Sequence, residues 1–497
     1  MKTGKFAINL LFLIFLLSGS HLLRAQPNTL YFMKGIPQTK DLNPARPGIS
    51  EGYYFSMPLF SKLDLAANTN NWAYNDLIHW GANNTLLNNS LSNVNWNRSD
   101  SLVIDLDKFR GSLDNKNFVF ESAALTILEG GYKKGKNFFA ASLTEREFTQ
   151  VFFGKNLVNL IQFGNYPYVG QTYYSGNAGV GAQHYREFAF NYSRDIDKKL
   201  TIGGAAKILF GMAAVQTNGI NFKITSPDNG ESLDVTATGR VNISAPVSFS
   251  YSAFGEITAA NSLPNYTAKD YLINFSNPGI AVDLGFAYRI NKKTEISASI
   301  IDLGMIGWKS NVTRFTERGH YLYRGINLND SRQNPPVIPQ FNAVIDSLNN
   351  VIAREFRPAH SEANFATLLP AKIYFGIDHQ LNDIVNVSGL TRIRVINNRI
   401  HTSLTASANA IFWESLSLSA SYSVMESTFD NLGLGIGFRA GPFQIYTATD
   451  NLFSPFYPSK ARNMNLRVGI NFIFDGKNSE KGGKSGSSLN PNCHCPY

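Results

Sequence analysis

The stretch Met464-Asn465-Leu466-Arg467-Val468-Gly469-Ile470-Asn471-Phe472-Ile473-Phe474 decides the fold. Met464, Leu466, Val468, Ile470, Phe472 and Phe474 share one parity, while Asn465, Arg467, Gly469 and Asn471 share the other, so an extended chain sorts them onto opposite faces. That is a strand between hydrocarbon and something polar. Its length matches the roughly 9 to 11 residues with which a tilted strand crosses a bilayer core. An edge strand of a soluble sandwich shows the same alternation, and composition separates the two.

Charged residues are 16% of the 497, against about 25% in soluble domains; aromatics reach 13% and mean hydropathy is -0.15. Such a balance suits strands that are apolar on one face only. Beyond the N-terminus no apolar run reaches the roughly 18 residues of a membrane helix, which excludes a helical membrane protein. Met1 to Ala25 has the order of a secretory signal: Lys2 and Lys5, an apolar centre from Ala7 to Leu17, then Ala25 before Gln26. No cysteine follows that cleavage point, so the lipoprotein route is closed. Subtracting Lys2, Lys5 and Arg24 from the net charge of +9 leaves +6, too mild to indicate a nucleic-acid partner. Cys493 and Cys495 are the only cysteines, and they provide no disulfide framework.

Residues 26–51 lack periodicity, and Asn43-Pro44-Ala45-Arg46-Pro47 denies them regular pairing, so they read as a plug or a loop. Tyr53, Phe55, Met57 and Leu59 alternate into a first strand. Residues 66–116, rich in Asn and carrying Trp72, Trp80 and Trp96, lose the pattern and read as a rim or lumen segment. Strands then recur, with turns at Lys133–Lys136, Asp195–Lys199 and Asn291–Lys293 and a short helix over Asn156 to Phe163. Residues 308–369 are the largest interruption, and Phe341, Val344, Ile345, Leu348, Val351 and Ile352 within it form the stripe of an amphipathic helix. Hairpins run from Pro370 to Phe474, and from residue 477 a Gly/Ser/Lys linker leads to Cys493-His494-Cys495.

The expected architecture is all-β: a transmembrane antiparallel β-barrel over residues 52–476, with a hatch at 26–51, a helix in a large outer loop and a flexible periplasmic tail at 477–497. Closing it with both termini in the periplasm needs an even number of strands. Working back from the closing strand puts the turns after Gln380, Trp413 and Gly441 inside and the 308–369 segment outside. Residues 200–256 then supply one strand and an external hairpin, giving 14 strands, or three strands, giving 16.

Arg467, Gly469, Phe472 and Phe474 resemble the closing-strand signal read by the outer-membrane barrel-assembly machinery. The resemblance implies that machinery as a partner during biogenesis, outer-membrane lipid as the surroundings and a Gram-negative cell. Asn43-Pro44-Ala45 is similar to a feature of the long-chain fatty acid transporter family, the FadL-like barrels, whose N-terminal hatch lies in the barrel; it also resembles the start of the PorP/SprF barrels linked to type IX secretion and gliding. To about Gly476 the chain resembles a barrel family of unknown function related to both groups, and the fatty-acid-transporter resemblance tips the count to 14.

Enzyme chemistry is not expected. His79, His184, His320, His360, His379 and His401 stand singly, without a Gly-x-Ser-x-Gly elbow or a His-Glu-x-x-His pair, and Glu145-Arg146-Glu147 reads as a solvated strand end. Cys493, His494 and Cys495 are too closely spaced for a zinc site and lack a fourth ligand, so no metal or cofactor is expected and contact with a periplasmic partner is the sharper reading. Alternation aims Lys207, Asp283, Arg289, Lys372, Arg392, Arg394 and Arg467 into the lumen, to cancel one another and bind the plug or, alternatively, to hold a carboxylate. Asn471, on that face, is expected to tolerate a charge that Val468 does not.

Two functions follow. The first is a plugged scaffold or accessory component of a secretion or motility apparatus, with the tail and outer loop binding partners. The alternative is a transporter of small hydrophobic molecules past the hatch.

Overall fold

In the computed structural model the last strand pairs with the first. Asn463–Asp475 is hydrogen-bonded on one side to Phe443–Thr449 and on the other to Gly52–Ser56 and Lys62–Thr69, so the sheet has no free edge there. The structure describes residues 28–80, 102–163, 166–227, 232–252, 257–264, 267–272, 274–323, 359–396, 399–413, 415–425 and 428–475.

The described residues make a closed ring of 14 antiparallel strands. β1 is Gly52–Ser56 continued by Lys62–Thr69, β2 Lys116–Lys134, β3 Asn137–Gly154, and β4 Thr172–Tyr174 with Gly179–Asp195. Then come β5, Leu200–Thr217 with Asn221–Thr225; β6, Leu233–Ser244 resumed by Pro278–Arg289; and β7, Thr294–Trp308 with Val312–Tyr323. β8 is Ala359–Ser361, Phe365–Leu368 and Lys372–Gln380 in line, followed by β9 Val385–Ile396 and β10 Arg399–Phe412. β11 Leu416–Met425, β12 Thr428–Ala440, β13 Phe443–Thr449 and β14 Asn463–Asp475 close the ring.

Residues 200–256 therefore take the first of the two expected forms. β5 extends beyond the wall as a hairpin with the start of β6, and a second hairpin, Val247–Tyr251 with Ile257–Ser262, interrupts β6. The turns after Lys134, Asp195, Arg289, Gln380, Phe412 and Ala440 gather at one end, together with the start of β1 and the end of β14. The long connections leave from the other.

Side chains alternate as the sequence pattern requires. Phe55, Phe190, Ile202, Leu284, Phe375, Leu404 and Ile436 are exposed outward, whereas Tyr54, Asn191, Ala205, Asp283, Tyr374, Ser403 and Asn471 are buried. A wall that is apolar outside, polar inside and hydrogen-bonded all round is the architecture of outer-membrane barrels. Among the described residues no helix is long and apolar enough to cross a membrane.

Three expectations are corrected. The first strand does not run unbroken to Leu59: Gly52 faces Asp475 but Lys62 faces Gly469, so Met57-Pro58-Leu59-Phe60 bulges outward between them. Pro58 has no N–H for the ladder, and Leu59 adopts φ 67°. The 308–369 interruption is shorter than its pattern indicates, because Val312–Tyr323 prolongs β7 and Ala359–Leu368 returns as β8. Glu145-Arg146-Glu147 lies within β3, where Arg146 pairs with Glu187 of β4 at 2.9 Å. The loop helix at 341–352, Trp96 and the tail with Cys493, His494 and Cys495 lie outside the described residues. A helix does form at Lys155–Phe163, and Trp72 packs beside it against Phe109 and Phe153.

Candidate functional site

The lumen holds the chain's own N-terminal segment. From Asn28 to Ile49 nearly every residue is buried, in two short 3-10 turns, Asn28–Phe32 and Pro37–Asp41. Leu30, Tyr31, Phe32, Met33, Ile36 and Leu42 pack on Ile301, Tyr374, Leu390, Tyr446 and Ala448 of the wall. Burial of such side chains is worth about 1.5 to 3 kcal/mol each, whereas buried ion pairs come near to break-even. Apolar packing thus supplies most of the hold, and polar contacts fix the register.

Those polar contacts form three groups. At the tip, Asp450 accepts hydrogen bonds from Asn28 N at 2.7 Å, Thr29 N at 2.9 Å and Thr29 Oγ1 at 2.6 Å. The alternating glycines of β12 make room for this finger: a Cβ at Gly433 would strike Thr29, and one at Gly435 would strike Met33. At the turn, Asn43 Oδ1 accepts from Ala45 N at 2.9 Å while its Nδ2 donates to Tyr31 Oη at 3.0 Å and Phe286 O at 3.2 Å. Only an amide both ties that loop and reaches a strand carbonyl, and Pro44 then lies against Gly203 and Gly285. Arg46 pairs with Glu295 at 2.9 Å.

The third group is a chain of alternating charge. Glu129 and Asp41 flank Lys40 at 2.9 and 2.7 Å; Asp41 also pairs with Lys62, Lys62 lies 3.6 Å from Asp64, and Asp64 pairs with Arg467. It runs from β2 through the hatch to the seam between β1 and β14. Burial pushes the Asp41 carboxyl up, but Lys40, Lys62 and Arg467 outweigh it and hold the group well below the carboxylate range. Burial likewise lowers Lys40, and Asp41 and Glu129 more than reverse that, raising it above an ordinary lysine. Asn471 is fully buried and bonded to Gln38, Ser56 and Gln444. The expectation that it tolerates an arginine has no support in that geometry.

Above the hatch lies a second charge layer. Lys207 pairs with Asp283 at 2.7 Å and Asp302 at 2.6 Å, and Lys372 reaches Asp302 at 2.6 Å. By parity Asp302 belongs on the lipid face; a β-bulge opposite Val282 and Leu284, with Asp302 at φ 60°, turns it inward. Arg392 and Arg394 are buried, whereas Arg289 stands at the short-turn rim, a third exposed and 3.6 Å from Glu295. A cavity of about 40 Å³ sits among Asp64, Arg146, Asp302, Lys372, Arg392 and Arg394, room for a few waters. Phe120, Phe148 and Tyr185 also line it.

The wall closes in above this cavity. Arg394 of β9 lies 3.9 Å above the ring of Phe120 in β2, and His401 of β10 meets Phe118 edge-on at 4.8 Å. Ala66, Phe148 and Ile396 complete that cluster. Across the rest of the section, Trp308 donates to Thr367, which donates to Gln183, joining β7, β8 and β4 over Tyr185, Leu209 and Leu369.

Of the closing-strand residues, Arg467 points inward to Asp64 and Gly469 gives way to the ring of Tyr446. Phe472 and Phe474 stack outside on Phe55 and Tyr53 at 5.1 and 5.0 Å, lacing the seam. Pattern reading missed Lys40, Asp41, Asp64, Glu129 and Asp450. Lys62 and Asp64 alternate with Leu63 and Leu65, and Asp450 continues the inward parity of Gln444, Tyr446 and Ala448; Glu129 follows a β-bulge, and Lys40 and Asp41 sit in a segment without periodicity.

The chain is similar in structure to the Ralstonia pickettii toluene transporter TbuX, at 12% identity and TM-score 0.40 over 91% of this chain and 99% of that one. It is also similar to the toluene transporter TodX of P. putida, at 10% and 0.36 over 87% and 97%. A Pseudomonas aeruginosa FadL homologue matches at 10% and 0.37 over 91% and 96%. No curated protein matches the chain. Residues 47–450, most of the barrel, match the model of a family of unknown function, and the chain belongs to that family, DUF5723.

Proposed function

We propose that this barrel is a hatch-gated transporter that passes small hydrophobic molecules across the outer membrane. One observation carries the reading. The hatch is held in the lumen mainly by apolar packing, so its displacement uncovers Ile301, Tyr374, Leu390, Tyr446 and Ala448 on the inner wall. A water-filled pore presents a polar interior; an apolar surface under a removable plug suits an apolar permeant. The scaffold reading rested on the tail and the outer loop, which lie outside the described residues, and nothing in the described chain favours a part in secretion or motility.

The test is uptake of radiolabelled naphthalene and of glycerol by intact Gram-negative cells with and without the barrel. Naphthalene uptake should rise several-fold and glycerol uptake should not. Equal naphthalene uptake with a folded barrel in place would remove the proposal.

A further inference from the structure

One residue of the hatch sits in the wall as a ligand sits in a site. Among the hatch residues of the apolar cluster, Tyr31 alone carries a hydroxyl, and it is fully buried. Its ring lies against that of Tyr374 in β8, the centroids 5.5 Å apart and the planes tilted by 31°. Two residues on, Gly376 leaves the ring its space: a Cβ there would stand 3.2 Å from Tyr31 Cε1 and 2.7 Å from Phe32 Cζ. At the polar end, Tyr31 Oη and Ser297 Oγ of β7 share a hydrogen bond at 3.1 Å. Ser297 is the register partner of Gly376, so the ring space and the hydroxyl partner lie side by side on the wall. An apolar lining with one convergent polar group is how small-molecule sites fix orientation.

We propose that this seat is a recognition site for a small phenol, and that Tyr31 is a tethered stand-in which the phenol replaces. The inference deepens the transport reading and rests on it for the purpose of the site. Tyr374, Gly376 and Ser297 belong to the wall and remain when the hatch leaves, so the ring contact and the hydroxyl bond of Tyr31 fall vacant together. A phenol restores both. Toluene offers the ring without the bond, and cyclohexanol the bond without the flat ring. Asn43 donates to Tyr31 Oη at 3.0 Å and to Phe286 O at 3.2 Å, so expelling Tyr31 also removes a bond that holds the Asn43-Pro44-Ala45 turn. Phenol and hatch exclude each other from the seat. A ligand that binds only the displaced state shifts the hatch toward opening as its concentration rises, and the phenol thereby gates its own passage.

The probe is p-cresol, which is the tyrosine side chain as a free molecule. Binding of radiolabelled p-cresol to the purified full-length barrel in detergent is measured by equilibrium dialysis against empty micelles. Tyr31→Ala opens the seat whether or not the hatch stays in the lumen, and it should bind p-cresol saturably and about tenfold more tightly than the parent. Toluene should bind this variant roughly fivefold more weakly, because it leaves the hydroxyl partner unmatched. Adding Ser297→Ala should bring p-cresol down to the toluene level and leave toluene unchanged. In the parent, p-cresol should speed protease cleavage within residues 28–49 about threefold and cyclohexanol should not, with migration of the folded band unchanged. Binding of p-cresol no tighter than that of toluene, or indifferent to Ser297→Ala, would overturn the proposal, and so would a hatch equally protected with and without p-cresol. The predicted binding pattern without naphthalene uptake would keep the site and remove the transport reading; naphthalene uptake without p-cresol binding would do the reverse.

Discussion

Asp64 and Arg467 are register partners across the seam where the first and last strands meet, and their side chains pair inside the lumen. The same pair ends the charge chain that reaches the hatch through Lys62, Asp41 and Lys40. Barrel closure and plug docking thus share one buried network. Asp64→Asn leaves Arg467 uncompensated and should cost about 3 to 5 kcal/mol, while Asp64→Leu with Arg467→Met should recover most of it. Urea titration of the folded band checks both.

On the outer face of the same strand solvation decides. Val468→Arg places a charge toward lipid and should cost roughly 2 to 4 kcal/mol near the midplane. Asn471→Arg should leave the wall folded but expel the hatch, because Gln38, Ser56 and Gln444 already fill the space around it. Denaturant stability reads the first, and protease cleavage within residues 28–49 reads the second.

The finger of the hatch depends on absent side chains. Gly433→Val should push Thr29 off Asp450 and make the segment before Gly35 protease-sensitive in a barrel that still migrates as folded. Undiminished protection would show that the finger does not need that seat.

The Lys40–Asp41 pair of the hatch should be insensitive to pH across the neutral range. A depressed carboxyl such as Asp41 contributes stability that is present above the ordinary carboxylate pKa, about 4, and lost as pH falls through its lower folded value. A raised lysine such as Lys40 contributes below about 10.4, and that is lost only as pH rises through its higher folded value. Hydrogen exchange of residues 37–42, around Lys40 and Asp41, should be protected equally from about pH 5 to 9. Opening between pH 5 and 7 would mean that another group controls docking.

How far the sequence revealed this arrangement depends on periodicity. β14, β12 and the β6 segment from Pro278 were legible because each strand alternates against two unlike media. The direction of every hairpin from Gln380 onward followed from parity and an even count. Asp302 was illegible because a bulge reverses its face, and the bulge at Met57–Phe60 hid because its residues continue the apolar pattern. The hatch contacts were invisible for a different reason: Lys40 and Asp41 have no repeat to place them, and only the folded wall brings them to their partners. The glycines at 433, 435 and 437 were visible as a set, yet their purpose appears only with Thr29, Met33 and Ile36 against them.

If the hatch must move for a hydrophobic molecule to pass, a hatch fixed in place blocks uptake. Thr29 Oγ1 and Ser421 Oγ are 2.7 Å apart, so Thr29→Cys with Ser421→Cys, in a chain carrying Cys493→Ser and Cys495→Ser, can tether the finger to β11. Naphthalene uptake by cells bearing this variant, measured oxidised and then reduced, is the direct test. Oxidation should abolish uptake and reduction should restore it; uptake that is equal in both states, with the tether shown to be formed, would mean that the hatch does not gate passage.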